Sequence, residues 1–571
     1  MSGMLRVFEW WVWILERFPV LPRAALITAL TLPTLMLIRT QPQIVFWVEW
    51  LCAALLGLTL LAEHDCGPVQ CDELFVVVAL LVLGAALNAE GRSAGVGFSA
   101  YLALFLAARL VGRSGGPLVA TVCLAMLMCG LFQSLLGALQ LAGVAGGGFV
   151  LAKIYNQAFG NVGQANHYAA LLSIALVAAL PVFRTPLWRR GVTVWLAAAI
   201  ASSASRAAWL YFVAFLVVGG MGVRARSAGA RSAAKELIVV SVLAVAVQLA
   251  LNYSGVFDEV GVTSSIARAA DSGSNGQRLY DWSLALSAIK AHPWFGVGVG
   301  GFHGWAVEQM PLTPHVPFSK FAEHAHNLPL HLAATMGLPF AVLSLGVAGW
   351  WLFRQLRVPM TPDRLFALSG LSVIGLHSMV EYPLWYTYFI IPAGLFCGIL
   401  SKTDPTARTV EVPAWAMRVL SALFVVGLVW VARDYVIVEH AYADWSGQRS
   451  QTTDAGRVRI RAALSRIPDW SIVADHARAL ELQTWRPEPI TAAGVAQQCD
   501  AAFKARPSWG LGTQCLLAKA MAGDRPGVER MSLVLCEGFP RHHQMLREWA
   551  EVADGYRPIV SVQSENCLRK Q

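Results

Sequence analysis

Thirteen apolar runs divided by short charged loops leave this chain few folds to choose from. They lie near 24–38, 44–62, 74–88, 97–112, 117–143, 167–183, 191–204, 207–222, 237–252, 328–352, 365–378, 384–400 and 415–433. A helix crosses a bilayer with roughly 20 apolar residues, so the longer runs span unaided and the shorter ones draw on their flanks. With 56% hydrophobic and only 14% charged residues, an ordinary soluble enzyme is excluded. The expected fold class is an all-α polytopic membrane protein of about 12–13 transmembrane helices. The formal charge of +9 is scattered over loops rather than gathered in a patch, so no nucleic-acid partner is expected and membrane lipids are.

Five segments follow. Residues 1–22, Trp-rich and without the small-residue cleavage site of a signal peptide, are expected as an interfacial N-terminal segment. Nine spans occupy 23–252, a large polar loop 253–327, and four further spans 328–433. Residues 434–571 hold short amphipathic stretches at 457–464, 477–484, 492–505 and 513–521, set apart by Pro and Gly, which predict a small helical, repeat-like domain. Arg109 and Arg113, Arg184 to Arg190, Arg224 to Lys235, Arg354 to Arg364, and Lys402 with Arg408 fall in or beside alternate loops. Those loops are therefore expected inside, and 144–166, 253–327, 379–383 and everything past about 434 outside. In a bacterium this is an inner-membrane protein with those segments in the periplasm. Cys499, Cys515, Cys536 and Cys567 would then face an oxidising compartment and form one or two disulfides, with the pairing open. Cys66 and Cys71 are expected inside and reduced, while Cys52, Cys123, Cys129 and Cys397 lie in apolar runs as packing residues.

Where the large loop meets the apolar run that begins at Leu328, the stretch Phe321-Ala-Glu-His-Ala-His-Asn-Leu-Pro-Leu-His-Leu332 gathers three histidines, an acid and an amide. Ionisable groups at a membrane edge are costly, which marks Glu323, His324, His326 and Asn327 as candidate functional residues. Other polar groups reach the same face: Asn161, Gln164 and Asn166 in Gly160-Asn-Val-Gly-Gln-Ala-Asn-His167, Arg206 at the start of the eighth span, Arg278 and Trp282 on a helix expected to run to about Lys290, and His377 with Glu381. Taken singly, each has a structural explanation, such as a helix-start turn for the amides or snorkelling for Arg206. Gly296-Val-Gly-Val-Gly-Gly301 follows no expected strand and lacks a P-loop Lys-Ser/Thr, so it reads as a tight, close-packed turn rather than a nucleotide loop.

In that order and spacing, Gly160 to His167, Ser205-Arg206, Arg278 with Trp282 leading into Pro293-Trp-Phe-Gly-Val-Gly298, His324-Ala-His326-Asn327, and His377 through Trp385 resemble the PglL-type bacterial O-oligosaccharyltransferases, relatives of the O-antigen ligases and Wzy polymerases. The resemblance covers roughly 20–400. The extra span leading to a soluble C-terminal region leans toward the protein-glycosylating branch. It implies a glycan joined through pyrophosphate to undecaprenol as donor, and as acceptor a Ser or Thr hydroxyl of a periplasmic protein such as pilin, or a lipid A core sugar in the ligase branch. It makes His326 the essential histidine, as general base or acceptor-orienting group, with His324 beside it. Arg206 and Arg278 become the pyrophosphate-binding pair, because guanidinium stays charged and forks onto phosphate. Asn327, Glu323, Asn161, Gln164, Asn166 and Glu381 would support them. No cofactor is implied, and no metal is expected: His324 and His326 would point the same way on an extended strand and could grip zinc, but they diverge on a helix, and no third ligand is evident. A lipid-linked sugar transporter would be expected to show inverted repeats and midplane breaks. A scaffold would not need the arginine and histidine set.

Overall fold

The computed structural model describes residues 20–539 apart from 63–68, 89–91, 114–115, 145–147, 154–155, 260, 271, 313–320, 405–407, 411 and 448–452. The N-terminal segment up to residue 19, Cys66 and Cys567 lie outside the described residues. In chain order the elements are α1 (Val20–Leu35), α2 (Phe46–Ala62), β1 (Val69–Cys71), α3 (Glu73–Asn88), α4 (Arg92–Gly112), α5 (Gly116–Leu141), α6 (Ala165–Val182), α7 (Pro186–Ser202), α8 (Ala207–Gly222), α9 (Ala228–Tyr253), α10 (Val256–Glu259), α11 (Ser265–Ala270), α12 (Ser272–Ala291), α13 (Gly301–Gln309), α14 (Leu328–Met336), α15 (Leu338–Arg357), α16 (Pro362–His377), α17 (Thr387–Lys402), β2 (Arg408–Val410), α18 (Ala414–Gly447), α19 (Asp454–Leu464), α20 (Ala474–Gln483), α21 (Pro489–Ala505), α22 (Trp509–Met521) and α23 (Arg525–Gly538). The chain is an all-α membrane protein; β1 and β2 form only a short antiparallel ribbon with Gln70 opposite Thr409.

Every apolar run falls on a helix. The tenth falls on two, because Gly337 takes φ 84° and ψ 162° between α14 and α15, a backbone open only to glycine. The helices α4, α5, α6, α9 and α18 are, over all or nearly all their length, long and apolar enough to cross a membrane. α1, α2, α3, α8 and α17 are equally apolar but shorter.

The described chain divides into two compact units. The first comprises the described residues of 1–79, 100–274 and 344–429; the second, those of 80–99, 275–343 and 430–571. At the centre of the first lies α6, on which every residue from Ala165 to Leu180 except Asn166 is buried. Its small residues permit this: Ala175 meets Gly130 of α5 so closely that a side chain at 130 would overlap it. α6 packs on α5, α7, α8 and α16.

Helix ends of the first unit collect their charges. Asp72 Oδ2 accepts from Arg109 Nη2 at 2.5 Å, from Ser401 Oγ at 2.8 Å and from Trp351 Nε1 at 3.1 Å. Both members of this ion pair are almost fully buried. Alongside, Arg354 bridges Glu73 and Asp404, and Gln355 Nε2 donates to Asp404 Oδ2 at 3.0 Å. The fully buried Arg364 donates to the carbonyls of Leu400 and Gln355 and to Thr403 Oγ1. Arg109, Arg354 and Arg364 therefore do more than mark a loop side: they tie the start of α3, the ends of α4, α15 and α17, and the start of α16 to one another. Charge counting along the sequence does not distinguish a solvated loop arginine from one whose counter-ion sits on another helix.

The second unit joins the polar loop to the C-terminal helices through a shared core. On α13, Phe302 and Ala306 pack with Tyr280, Leu284, Ala285 and Ala288 of α12, with Ala322 and Ala325, and with Ala334 of α14. From the same helix Val307, followed by Met310, packs with α20 to α23. The described part of the loop from 275 on and the C-terminal helices, which look separate in the sequence, thus belong to one body. Turn 293–298 is close-packed, as the glycines predict: Val297 N–H donates to Ala334 O and Gly298 N–H to Thr335 O, and a side chain at Gly296 would run into the α14 backbone. Cys499 and Cys515 are disulfide-bonded with Cα atoms 5.4 Å apart, and Cys536 is disulfide-bonded as well.

Replacing Asp72 with Ala leaves the Arg109 charge buried without its counter-ion, which costs about 3–5 kcal/mol. The melting temperature of the detergent-solubilised protein, read by size-exclusion chromatography after heating, should fall steeply in D72A, and an unchanged value would show that the pair carries no stability. Opening the Cys499–Cys515 bond with the C499S/C515S pair should cost about 3 kcal/mol, the closure entropy of a 15-residue loop.

Candidate active site

In the second unit, His326 is one of only two non-glycine residues with positive φ among those described, at 48°. The left-handed region costs a non-glycine residue roughly 1–2 kcal/mol, and such strain persists where the surroundings impose it. What imposes it is the next residue: Asn327 caps α14, its side chain accepting from Leu330 N–H at 3.0 Å. Pro329 then fixes the first turn. The chain must swing from an extended cap into the preceding segment within one residue, and His326 takes the bend.

His324 is partnered by a histidine to which the sequence assigned no role. His331 Nδ1 accepts from Ala325 N–H at 3.4 Å, and its Nε2 lies 3.5 Å from His324 Nδ1. Each ring meets the other edge-on at 4.9 Å, and Phe302 covers His331. Burial holds the His324 imidazole well below its ordinary pKa, with the neighbouring histidines His331, His326 and His303 adding to the effect. Glu323, more than half exposed, stands 3.8 Å both from His303 Nδ1 on α13 and from Arg506 Nη1. Burial lowers His303 to about 4; the nearby Glu323 carboxylate pulls it up and Arg506 pushes it down. His303 is a member of the cluster that no sequence signal marks, 20 residues from Glu323 and brought to it by the packing of α13.

Arg278 is half-buried on α12, two residues before Tyr280. Beside it, Gln277 Nε2 donates to the buried Asp281 at 2.9 Å. Among the described residues, the indole Nε1 of Trp282 is buried without a hydrogen-bond partner.

In the first unit, the remaining candidates gather at the end opposite the Asp72–Arg109 network. Asn166 joins three elements: its Nδ2 donates to Glu381 Oε1 at 2.8 Å and its Oδ1 accepts from Ser205 Oγ at 2.9 Å. Ser205 belongs to the turn that presents Arg206 as the cap residue of α8. In that turn Ala204 is the second non-glycine residue with positive φ, at 53°. The two left-handed residues therefore stand two positions before the arginine, and at the histidine, singled out by sequence. Gln164 and Asn161 serve the backbone. Gln164 caps α6 through His167 N–H at 2.6 Å, while Asn161 donates to Leu35 O and Phe149 O and accepts from Leu151 N–H. Beneath this end lie His167, whose Nδ1 pairs with Tyr388 at 3.0 Å, and His377, whose Nδ1 pairs with Tyr211 at 2.9 Å. Their rings are 5.2 Å apart. Among the described residues, no three His, Cys, Asp or Glu side chains are grouped to hold a metal ion.

Residues 191–345 match the family model described as O-antigen ligase, and residues 365–552 match that described as virulence factor membrane-bound polymerase, C-terminal. The first stretch holds Arg206, Arg278, His324 and His326; the second holds Glu381. Among curated proteins, the chain is similar to the general O-oligosaccharyltransferase of Acinetobacter baylyi (strain ATCC 33305 / BD413 / ADP1), 31% identical over 180 residues, which is 30% of each chain. It is also similar to the ComP-specific O-oligosaccharyltransferase of the same strain, 24% identical over 123 residues, 22% of each chain. The matched stretches thus span less than a third of either relative. Both comparisons bear out the resemblance that the motifs carry.

Glycine at 326 accepts the left-handed backbone that alanine resists. H326G should therefore be about 1 kcal/mol more stable than H326A, measured as the difference in their denaturation midpoints; equal midpoints would mean that the bend relaxes. Lowered histidine pKa values also fix a sign. Between pH 6.5 and about 4 the unfolded chain binds a proton at residue 303 that the folded chain refuses, so stability falls as pH drops through that window, by up to about 1.4 kcal/mol per pH unit. H303Q should flatten the pH dependence of the melting temperature below pH 6.5.

Proposed function

We propose that the chain is a protein O-oligosaccharyltransferase that moves a preassembled glycan from undecaprenyl pyrophosphate to Ser or Thr hydroxyls of periplasmic proteins such as pilins. The observation that carries this reading is the strained His326, held by the Asn327 cap next to the half-buried His324 and the buried His331, within a stretch that matches the O-antigen ligase model. The named activity of the two Acinetobacter relatives points to a protein as acceptor. Outward orientation of the site is supported by the loop charges and by disulfides in the C-terminal helices, which form in oxidising compartments.

In this mechanism His326 takes the proton of the acceptor hydroxyl as its oxygen attacks the anomeric carbon. The bond from that carbon to the pyrophosphate oxygen breaks in the same displacement, so configuration inverts, no metal is required, and lipid pyrophosphate leaves with the bonding electrons. Arg206 and Arg278 supply the guanidinium groups for the growing phosphate charge, with charge-assisted bonds of about 1.5–3 kcal/mol each. Ser205, Asn166 and Glu381 set the direction of Arg206; Asn327 sets that of His326; Glu323 with His303 and Arg506 closes the histidine cluster. The family description over 191–345 favours a second reading, transfer to a lipid A core sugar.

Proton transfer to a placed base contributes about 100- to 10,000-fold in rate, and H326A should lose that much. The decisive experiment supplies the reconstituted protein with one undecaprenyl-pyrophosphate glycan and offers a pilin-like protein and lipid A core together. Glycan on the protein with wild type and not with H326A supports the proposal. Glycan on lipid A core alone selects the ligase reading, and undiminished transfer by H326A removes His326 from the chemistry.

A further inference from the structure

A basic groove in the second unit plays no part in the site above. It begins with helix length: α18 has 34 residues, about 51 Å at 1.5 Å per residue, some 20 Å more than the apolar core of a bilayer. Its exposed apolar residues, among them Val419, Leu423 and Val426, give way at Trp430. There the Trp430 ring stacks on Trp470 at 5.8 Å, and the Arg433 guanidinium lies 5.3 Å from the Trp430 ring centre. Half-exposed tryptophans joined by an arginine mark the level where a helix leaves the hydrocarbon.

Past that level α18 and α19 enclose a cavity of about 470 Å³. His440 and Asp444 line it from α18, Arg459 and Arg466 from α19 and the turn that follows, with Ala441 and Ile460 at its base. The arginines of this stretch divide their work. Arg461 Nη2 and Arg457 Nη1 donate to Thr484 O at 2.9 and 3.2 Å, closing the end of α20. Arg459 and Arg466, one heptad apart on the other side, are exposed and have no hydrogen-bond or ion-pair partner among the described residues. Arg466 lies four residues before Trp470, so this arginine sits closest to the membrane level. Two guanidinium groups against the one carboxylate of Asp444 leave a single positive charge, the complement of a phosphodiester.

We propose that this groove binds the phosphate headgroup of an anionic membrane phospholipid through Arg459 and Arg466. Guanidinium forks match phosphate oxygens in geometry and charge, and basic side chains at a bilayer surface favour anionic lipids. The groove thereby seats the C-terminal helices on the membrane, independently of the transfer reaction.

The test uses the full chain in detergent and native mass spectrometry with phosphatidylglycerol, phosphatidylethanolamine and inorganic pyrophosphate as probes. Phosphatidylglycerol should be retained in preference to phosphatidylethanolamine, and R459Q/R466Q should weaken it roughly thirtyfold. R525Q/R530Q, which removes the same charge from α23, should leave it unchanged. Pyrophosphate should not displace the lipid; displacement would show a site for a free anion and overturn the lipid assignment. Equal retention of both lipids by wild type, or equal loss in the two double variants, would overturn the groove itself. Because these variants lie outside the proposed chemistry, glycan transfer by R459Q/R466Q in detergent should match wild type, so failure of the groove and failure of the transferase reading are read separately.

Discussion

A charge inside an apolar bundle has to meet its counter-ion there, and the first compact unit is built around that demand. Asp72 receives Arg109, Ser401 and Trp351 at once. Arg364 finds carbonyls on two of the same helices, α15 and α17. Bulk water would have served each of these groups individually; in its absence they serve one another, and five helix ends are drawn together as a result. Close helix packing reinforces this, since a side chain at Gly398 would overlap the backbone of Arg109. With one end tied, the other is free to carry polar groups whose partners serve orientation: Ser205 and Glu381 hold the single amide of Asn166 from two sides.

The histidine cluster of the second unit obeys the same rule under a different solution. Desolvation holds the imidazoles of His324 and His303 below their ordinary pKa, and Glu323 lies 3.8 Å from both His303 and Arg506 on a mostly exposed side chain. A neutral histidine can accept a proton, whereas a histidinium held by a buried carboxylate gives its proton up reluctantly. Each unit carries one strained non-glycine residue among those described. His326 bends because Asn327 must cap α14, and Ala204 bends where the turn must present Arg206. Strain of this kind is maintained by surrounding packing, and near His326 that packing includes Ala322 and Ala325, which share a core with Phe302 and Ala306 of α13.

Much of this was legible in the linear order of residues, and for identifiable reasons. Hydrophobic run length depends only on bilayer thickness, so each span coincides with a helix. Gly337, invisible as a break inside the run 328–352, is an exception, since a glycine declares its φ only in three dimensions. The amphipathic stretches 457–464 and 492–505 became α19 and α21, while α23 is an element the sequence reading left out although Val528, Met531, Val534 and Leu535 recur on it at helical spacing. Arg206, Arg278, His324 and His326 could be chosen because membrane-edge charges are rare. His331 had the same signal and received no role; His303 had none. Asn161 and Gln164 proved to be bonded to backbone, a distinction that amide chemistry alone does not make.

Sequence by itself determined that the chain is a bundle of membrane helices with a polar loop and a helical C-terminal region, because burial of apolar surface and backbone satisfaction in lipid are properties of composition and run length. Tertiary structure decided which charges are partners and which groups share a core. Asp72 meets Arg109 across 37 positions and Ser401 across 329, and loop and C-terminal helices meet on two faces of the nine-residue α13. Pairings of that kind depend on where helices end in space, and no local pattern of residues encodes them.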